Sequence, residues 1–153
     1  MKKSLFRRIA SPVILIVLAL TLITTLAACA AQDGGLKDGY YSAETAEFDE
    51  YGWKEYLTIC VSDGSIVAVE YNAKNRSGLV KSWDMDYMRT MNEVDHTYPN
   101  EYTRVYSQAL LDSQNPAAVD VITGATTSHG VFVRLAEAAI AQAVAGDKKI
   151  AFV

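Results

Sequence analysis

Ten consecutive residues combine small, hydroxyl-bearing and acidic side chains: Asp120-Val121-Ile122-Thr123-Gly124-Ala125-Thr126-Thr127-Ser128-His129. Gly124 and Ala125 cover little of their own backbone, so a bulky group can come close. Thr123, Thr126, Thr127 and Ser128 offer hydroxyls that can hydrogen-bond or become an ester oxygen. If a helix opens at this point, its unpaired N–H groups favour an anion, phosphate above all. The physical reading is therefore a candidate phosphate site at a helix start. Its rival, at least as strong on these residues alone, is a plain strand–loop–helix junction. In that case Ser128 caps the helix and Gly124 makes a turn. No P-loop lysine pattern is present.

The elements that must position this segment can be read around it. Gly39 to Glu44 reads as a short first strand. Trp53 to Val61 alternates and is rich in aromatic and β-branched residues. Ile66 to Tyr71 is a second β-rich run, and Ser62-Asp63-Gly64-Ser65 between them is a hairpin turn. The period then changes. Ser82 to Val94 reads as a helix, with Ser82 at its N-cap and Asp84 and Asp86 in its first turn. Pro99 opens a second helix, on which Tyr102, Val105, Tyr106, Ala109 and Leu110 share one face. Ala118 to Ile122 is a short β-like run. A last helix starts after Thr127 or Ser128, buries Phe132, Leu135, Ala136, Ala139, Ile140 and Ala143, and ends at Gly146. The expected fold is α+β: an antiparallel β-meander sheet, built on the hairpin, with helices packed on one face.

Several other residues invite a chemical role and have a plainer one. Asp84 and Asp86 read as helix N-terminal charge rather than a metal pair. His96 and His129 are too far apart in sequence to suggest a ligand pair. His129 reads as an exposed first-turn side chain, with contact to a phosphate as the minority reading. Tyr71, Trp83 and Tyr87 flank the passage from hairpin to helix and are the candidates for stacking on a planar ligand; for each, a place in the core is the better bet.

The segment Asp120-x-x-Thr123-Gly124-Ala125-Thr126 resembles the flavinylation motif of the FMN-binding domain family. That family includes flavin subunits of the sodium-pumping NADH:quinone reductase and of Rnf complexes, and extracytoplasmic lipoproteins of electron transfer. A chance match in a chain of this size is on the order of one in a thousand. The likeness also runs from Leu36-Lys37-Asp38-Gly39-Tyr40-Tyr41 to the last helix. Thr123 stands where many members have Ser. The resemblance implies a covalent cofactor, flavin mononucleotide (FMN), joined through its phosphate to Thr126 by a separate flavin transferase. It implies a cofactor cradle of Asp120, Thr123, Gly124, Ala125, Thr127 and Ser128, with Asp120 orienting the hydroxyl or being read by the transferase. It also implies a redox partner protein or membrane electron-transfer complex.

The first residues carry a different signal. Lys2, Lys3, Arg7 and Arg8 precede an apolar run from Val13 to Leu26, followed by Ala27, Ala28 and Cys29. This order of basic, apolar and small segments is an export signal, and the run is shorter than the roughly 20 residues of a bilayer span. Leu26-Ala27-Ala28-Cys29 resembles the lipobox of bacterial lipoproteins. The resemblance implies cleavage before Cys29, acylation of its sulfur, and a location outside the cytoplasm, anchored in membrane lipid. The expected organisation is a signal peptide over residues 1–28, a lipidated N-terminus and tether over 29–37, and the FMN-binding domain over 38–153.

Beyond the signal, ten basic and eighteen acidic residues remain, a formal net charge of −8. Phosphate backbones repel such a surface, which argues against nucleic acid as a partner. With Cys29 acylated, Cys60 has no intrachain partner, and its β-rich surroundings make it a small buried apolar side chain. Three functions then compete: a flavinylated electron carrier, a small flavin-dependent reductase, and a non-redox binding lipoprotein that keeps the fold without cofactor. The carrier is preferred, because a chain this short has no room for a further catalytic domain.

Overall fold

Three strands open the described part of the chain: β1 (Gly39–Glu44), β2 (Lys54–Ser62) and β3 (Ser65–Lys74). The computed structural model describes residues 35–153, so the expected signal segment and Cys29 lie outside the described residues. β2 and β3 pair antiparallel from Lys54↔Lys74 to Ser62↔Ser65. The turn between them is Asp63-Gly64, at φ of 51° and 72°. Two successive positive φ values make a type I′ turn, whose twist matches that of the strands. β1 pairs antiparallel with β2, so these three strands are the meander expected from the sequence.

The helices are α1 (Met85–Asp95), α2 (Pro99–Ser113) and α3 (Thr126–Ala145). α3 packs on β1 and β2, and α2 packs on β3. Alternation along β2 sends Leu57, Ile59 and Val61 to the helix side, where all three are buried. They meet Tyr106 and Leu110 of α2 and Phe132, Leu135, Ala139 and Ala143 of α3 in one core. Gly146 ends α3 in the left-handed conformation, at φ 73°. A fourth strand, β4 (Ala151–Phe152), adds parallel to β1 and makes the order β3-β2-β1-β4. The architecture of the described residues is therefore α+β: an open mixed sheet with three helices. Among the described residues no helix is long and apolar enough to cross a membrane.

The structure corrects several local expectations. Ser82 is not a helix cap. It lies in a 3₁₀ turn over Lys81–Trp83, where its hydroxyl accepts from Asn72 Nδ2 at 2.9 Å. The cap of α1 is Asp84, which accepts from Tyr87 N–H at 2.9 Å. Ala118 to Ile122 forms no strand, because Pro116–Ala118 closes a 3₁₀ turn and the chain then runs free of any ladder. Val105 is 47% exposed, off the buried stripe of α2. Cys60 is half-buried and pairs with Tyr40 on the sheet face opposite Ile59 and Val61, so it is not a core residue.

Candidate functional site

The loop from Val119 to Ala125 is held at several points. His129 Nε2 lies 2.7 Å from the Val119 carbonyl. The Tyr106 hydroxyl accepts from Ile122 N–H at 3.1 Å and donates to the Ala125 carbonyl at 3.2 Å. Ala125 N–H closes a turn onto the Ile122 carbonyl at 2.9 Å. Gly124, at φ +84°, packs so close to the end of α1 that an added Cβ would lie 2.5 Å from the Asp95 carbonyl oxygen. Gly124 therefore needs its bare backbone for the contact with α1. Ala125 is buried as well.

α3 opens at Thr126, two or three residues earlier than the sequence suggested. Its N-cap is Ala125, which has no side chain to accept from the first turn, so Ser128 is not the cap. Among the described residues nothing accepts from the N–H groups of Thr126, Thr127 or Ser128. The first turn therefore keeps its donors and the positive end of its dipole available. Thr126 and Thr127 are exposed, and Ser128 is buried. Asp120 and Thr123 are exposed, and neither side chain bonds to the loop. His129 is turned inward, edge-on to the Tyr106 ring with centroids 5.4 Å apart, and is not an exposed first-turn side chain.

Beside this start lies a cleft of about 470 Å³, bounded by Gly124, Ala125, Thr127 and Ser128 on one side. That is within the roughly 300–1,000 Å³ of small-molecule sites. Tyr87 and Met91 of α1 form another wall. Glu55 of β2 and Lys81 reach it from below, and Asp49 from the loop that follows β1.

Glu55 and Lys81 are charged residues inside the fold. Glu55 is 8% exposed and Lys81 7%. Burial pushes the Glu55 carboxyl above its ordinary range, while the Tyr71 hydrogen bond and the Lys81 charge pull it back. Burial lowers the Lys81 ammonium, and Glu55 and Asp49 oppose that. The Tyr71 hydroxyl donates to Glu55 and also lies 3.0 Å from the Ser128 carbonyl. One hydroxyl proton cannot serve both acceptors fully. A proton on Glu55 resolves the conflict: Glu55 then donates to Tyr71, and Tyr71 to Ser128. The carboxyl facing the cleft is thus tied to the first turn of α3.

No family model matches the chain. Over 131 residues it is 38% identical to the 15 kDa lipoprotein of Treponema pallidum (strain Nichols), covering 86% of this chain and 92% of that protein. The chain belongs to the family of that lipoprotein. The same fold occurs in the crystal structure of the CPE2226 protein from Clostridium perfringens, which is 40% identical, with a TM-score of 0.74 over 77% of this chain and 97% of that one.

Within this family member, the sequence-derived site residues divide into groups. Gly124, Ala125, Thr127 and Ser128 meet at the cleft, and Thr126 stands at the same helix start. Asp120 and Thr123 do not line it. Of the three aromatic candidates, Tyr87 lines the cleft, Tyr71 is buried beneath Ser128, and Trp83 is 71% exposed on a separate cleft with Arg104 and Gln108. Asp86 pairs with Arg89 at 2.9 Å. Glu55, Lys81 and Asp49 went unnoticed in the sequence. Glu55 had a signal: it falls on the same strand parity as Leu57, Ile59 and Val61, so a charge was bound to face inward. Lys81, in a short irregular stretch, had none.

Proposed function

We propose that the protein is a lipid-anchored, extracytoplasmic electron carrier that holds FMN as a phosphoester of Thr126. The supporting observation is the setting of that hydroxyl. Thr126 is exposed at the first position of α3, behind a fastened loop and next to free N–H donors. A phosphodiester formed there keeps one negative charge, which the helix start favours. The cleft beside it, walled by Tyr87 and Met91 and reached by a buried lysine, fits a planar, acceptor-rich ring.

In the attachment reaction Thr126 Oγ1 bonds to the phosphorus nearer the flavin in flavin adenine dinucleotide. The pyrophosphate bond breaks, AMP leaves, and the hydroxyl proton passes to the transferase. Only a hydroxyl side chain can supply the bridging oxygen. Bound FMN supplies one- and two-electron chemistry. The residues of this chain hold its phosphate end, enclose the ring side and set the local charge. A covalent tether also prevents loss of the group by dilution outside the cell.

The anchor is proposed from two facts. The relative is named a lipoprotein, and the matched 86% of the chain is more than the described residues alone make up, so the likeness extends upstream of Gly35. Cys29, after Leu26-Ala27-Ala28, is the residue proposed for acylation, with the membrane lipid as its partner.

The test is the intact mass of the full chain made where a flavin transferase is active. An FMN-sized gain and yellow colour that survive denaturation, persist in Thr126→Ser and disappear in Thr126→Ala are expected. A wild-type chain weighing no more than its amino acids and lipid ends the flavin reading. Replacing Cys29 by Ala should release the protein from the membrane fraction.

A further inference from the structure

Lys81 opens the 3₁₀ turn that follows β3. It is more than nine-tenths buried, yet among the described residues its ammonium makes no hydrogen bond and no ion pair. Its nearest companions are two aromatic faces, Tyr87 at 5.2 Å and Trp53 at 5.7 Å from ring centroid to Nζ. Those contacts attract a cation but leave its three donors unused. A buried cation without a hydrogen-bonding partner is costly to a fold, and a methionine would fill the same space without that cost. No buried side-chain nitrogen or oxygen in the described residues is both sealed from solvent and without a partner, so Lys81 Nζ keeps its opening to the cleft. Thr127 and Ser128, at the start of α3, line the same cleft. An unpaired donor and a free helix start thus face one space from two sides.

We propose that Lys81 is the fixed cationic donor to the carbonyl-bearing edge of the flavin ring, holding that ring in the cleft and raising the carrier's reduction potential. This rests on the flavin reading above. A positive charge beside that edge favours the electron-rich state of the ring, and such charges are among the means by which proteins tune flavins. Lys81 keeps its proton throughout and takes part in no bond change; it is a positioning and tuning residue. Asp49 and Glu50 from the loop and Asp95 from α1 face the same cleft and act in the opposite sense, as Glu55 from β2 does when ionised. Lys81 is the cation among its lining residues.

The experiment compares full-length wild type, Lys81→Met and Lys81→Arg, each co-expressed with a flavin transferase. Intact mass is measured first, then the midpoint potential by equilibration with redox dyes. If wild type gains no flavin mass, the flavin reading fails and this proposal with it. If it gains the mass, Lys81→Met should show at least a tenfold loss in the two-electron reduction equilibrium, a midpoint lower by about 30 mV. Lys81→Arg, which keeps the charge, should return to near the wild-type value. Equal midpoints in wild type and Lys81→Met overturn the role of Lys81 while leaving the flavin in place. Should Lys81→Met not fold or load, Lys81→Gln, which keeps a donor and loses the charge, gives the same decision.

Discussion

The Tyr106 hydroxyl donates to the Ala125 carbonyl at 3.2 Å while accepting from Ile122 N–H at 3.1 Å. A side chain from the middle of α2 thereby fixes both ends of the tight turn that delivers Thr126 to the start of α3. The ring that carries the hydroxyl is itself held in the core, 5.4 Å from the Phe132 ring centroid. Loop shape and core packing are in this way one structure.

Tyr106→Phe removes both bonds and little else. The Ala125 carbonyl keeps the helical bond from His129 N–H, so the loss falls on Ile122 N–H. An unsatisfied donor in a half-buried position costs on the order of 1–2 kcal/mol. Urea unfolding should show that drop with the slope unchanged. The folded variant should also load flavin more slowly than wild type in a timed mass assay, because the turn that presents Thr126 is looser.

Gly124→Ala should be worse. Its Cβ would stand 2.5 Å from the Asp95 carbonyl and 2.8 Å from Asp95 Cβ, at a φ of +84°. The left-handed backbone alone costs about 1–2 kcal/mol for a side-chain residue. The clash, against backbone, adds to it. A loss of at least about 2 kcal/mol is expected from thermal or urea melting. The damage is to the seat of α1, not to attachment. Any Gly124→Ala protein that remains folded should still accept flavin on Thr126.

These two cases indicate what the sequence could and could not disclose. The strands, their Asp63-Gly64 turn, the Pro99 start and the Gly146 stop were legible, because each follows from local periodicity or turn chemistry. The small size of Gly124 was legible too, but its reason was not: the neighbour it accommodates, Asp95, is set by tertiary packing. Ala118 to Ile122 looked β-like by composition, yet Pro116–Ala118 closes a 3₁₀ turn and the residues after it enter no ladder. Ser82 looked like a cap because Ser is a good one, whereas Asn72, ten residues away, took its side chain instead. β4 is two residues long and is fixed by its pairing with β1 and its packing on α3, so no periodic pattern could announce it. At the site, the hydroxyl-rich segment was readable as chemistry. Buried Glu55 and Lys81, which complete the cleft, come from two separate segments and meet there only when the sheet is built.

Lys81→Met offers a second readout that needs no cofactor. In the chain carrying Thr126→Ala, which loads nothing, Lys81 is a buried charge serving no ligand. Cation–π contact with Tyr87 and Trp53 returns part of its desolvation cost. Methionine keeps the packing of the aliphatic stem and removes the charge. The double variant should therefore be more stable than Thr126→Ala alone by about 1 kcal/mol, the usual size of a gain released at a functional position. A loss of similar size would mean that the aromatic contacts outweigh desolvation and that Lys81 is there for the fold.

Glu55→Gln should change how stability depends on pH. Burial raises the folded-state pKa of Glu55, with Tyr71 and Lys81 only partly opposing it. A carboxyl raised on folding binds its proton more tightly in the native state. Its stabilising contribution is full below the ordinary glutamate value and fades as pH rises through the folded value. Glu44 behaves oppositely. Burial disfavours its charge, yet Lys74 and Lys54 outweigh that and lower its pKa, so its contribution fades as pH falls. The whole-protein curve mixes the two, and the difference between wild type and Glu55→Gln isolates the first. Glutamine keeps an acceptor for Tyr71 and cannot ionise. Relative to wild type, the variant should gain stability as pH rises from the glutamate range towards neutrality, and the gap should close again on acidification. Parallel melting curves across that window, with a constant gap, would mean that folding does not shift the Glu55 pKa and that the Tyr71 proton is shared between its two acceptors without help.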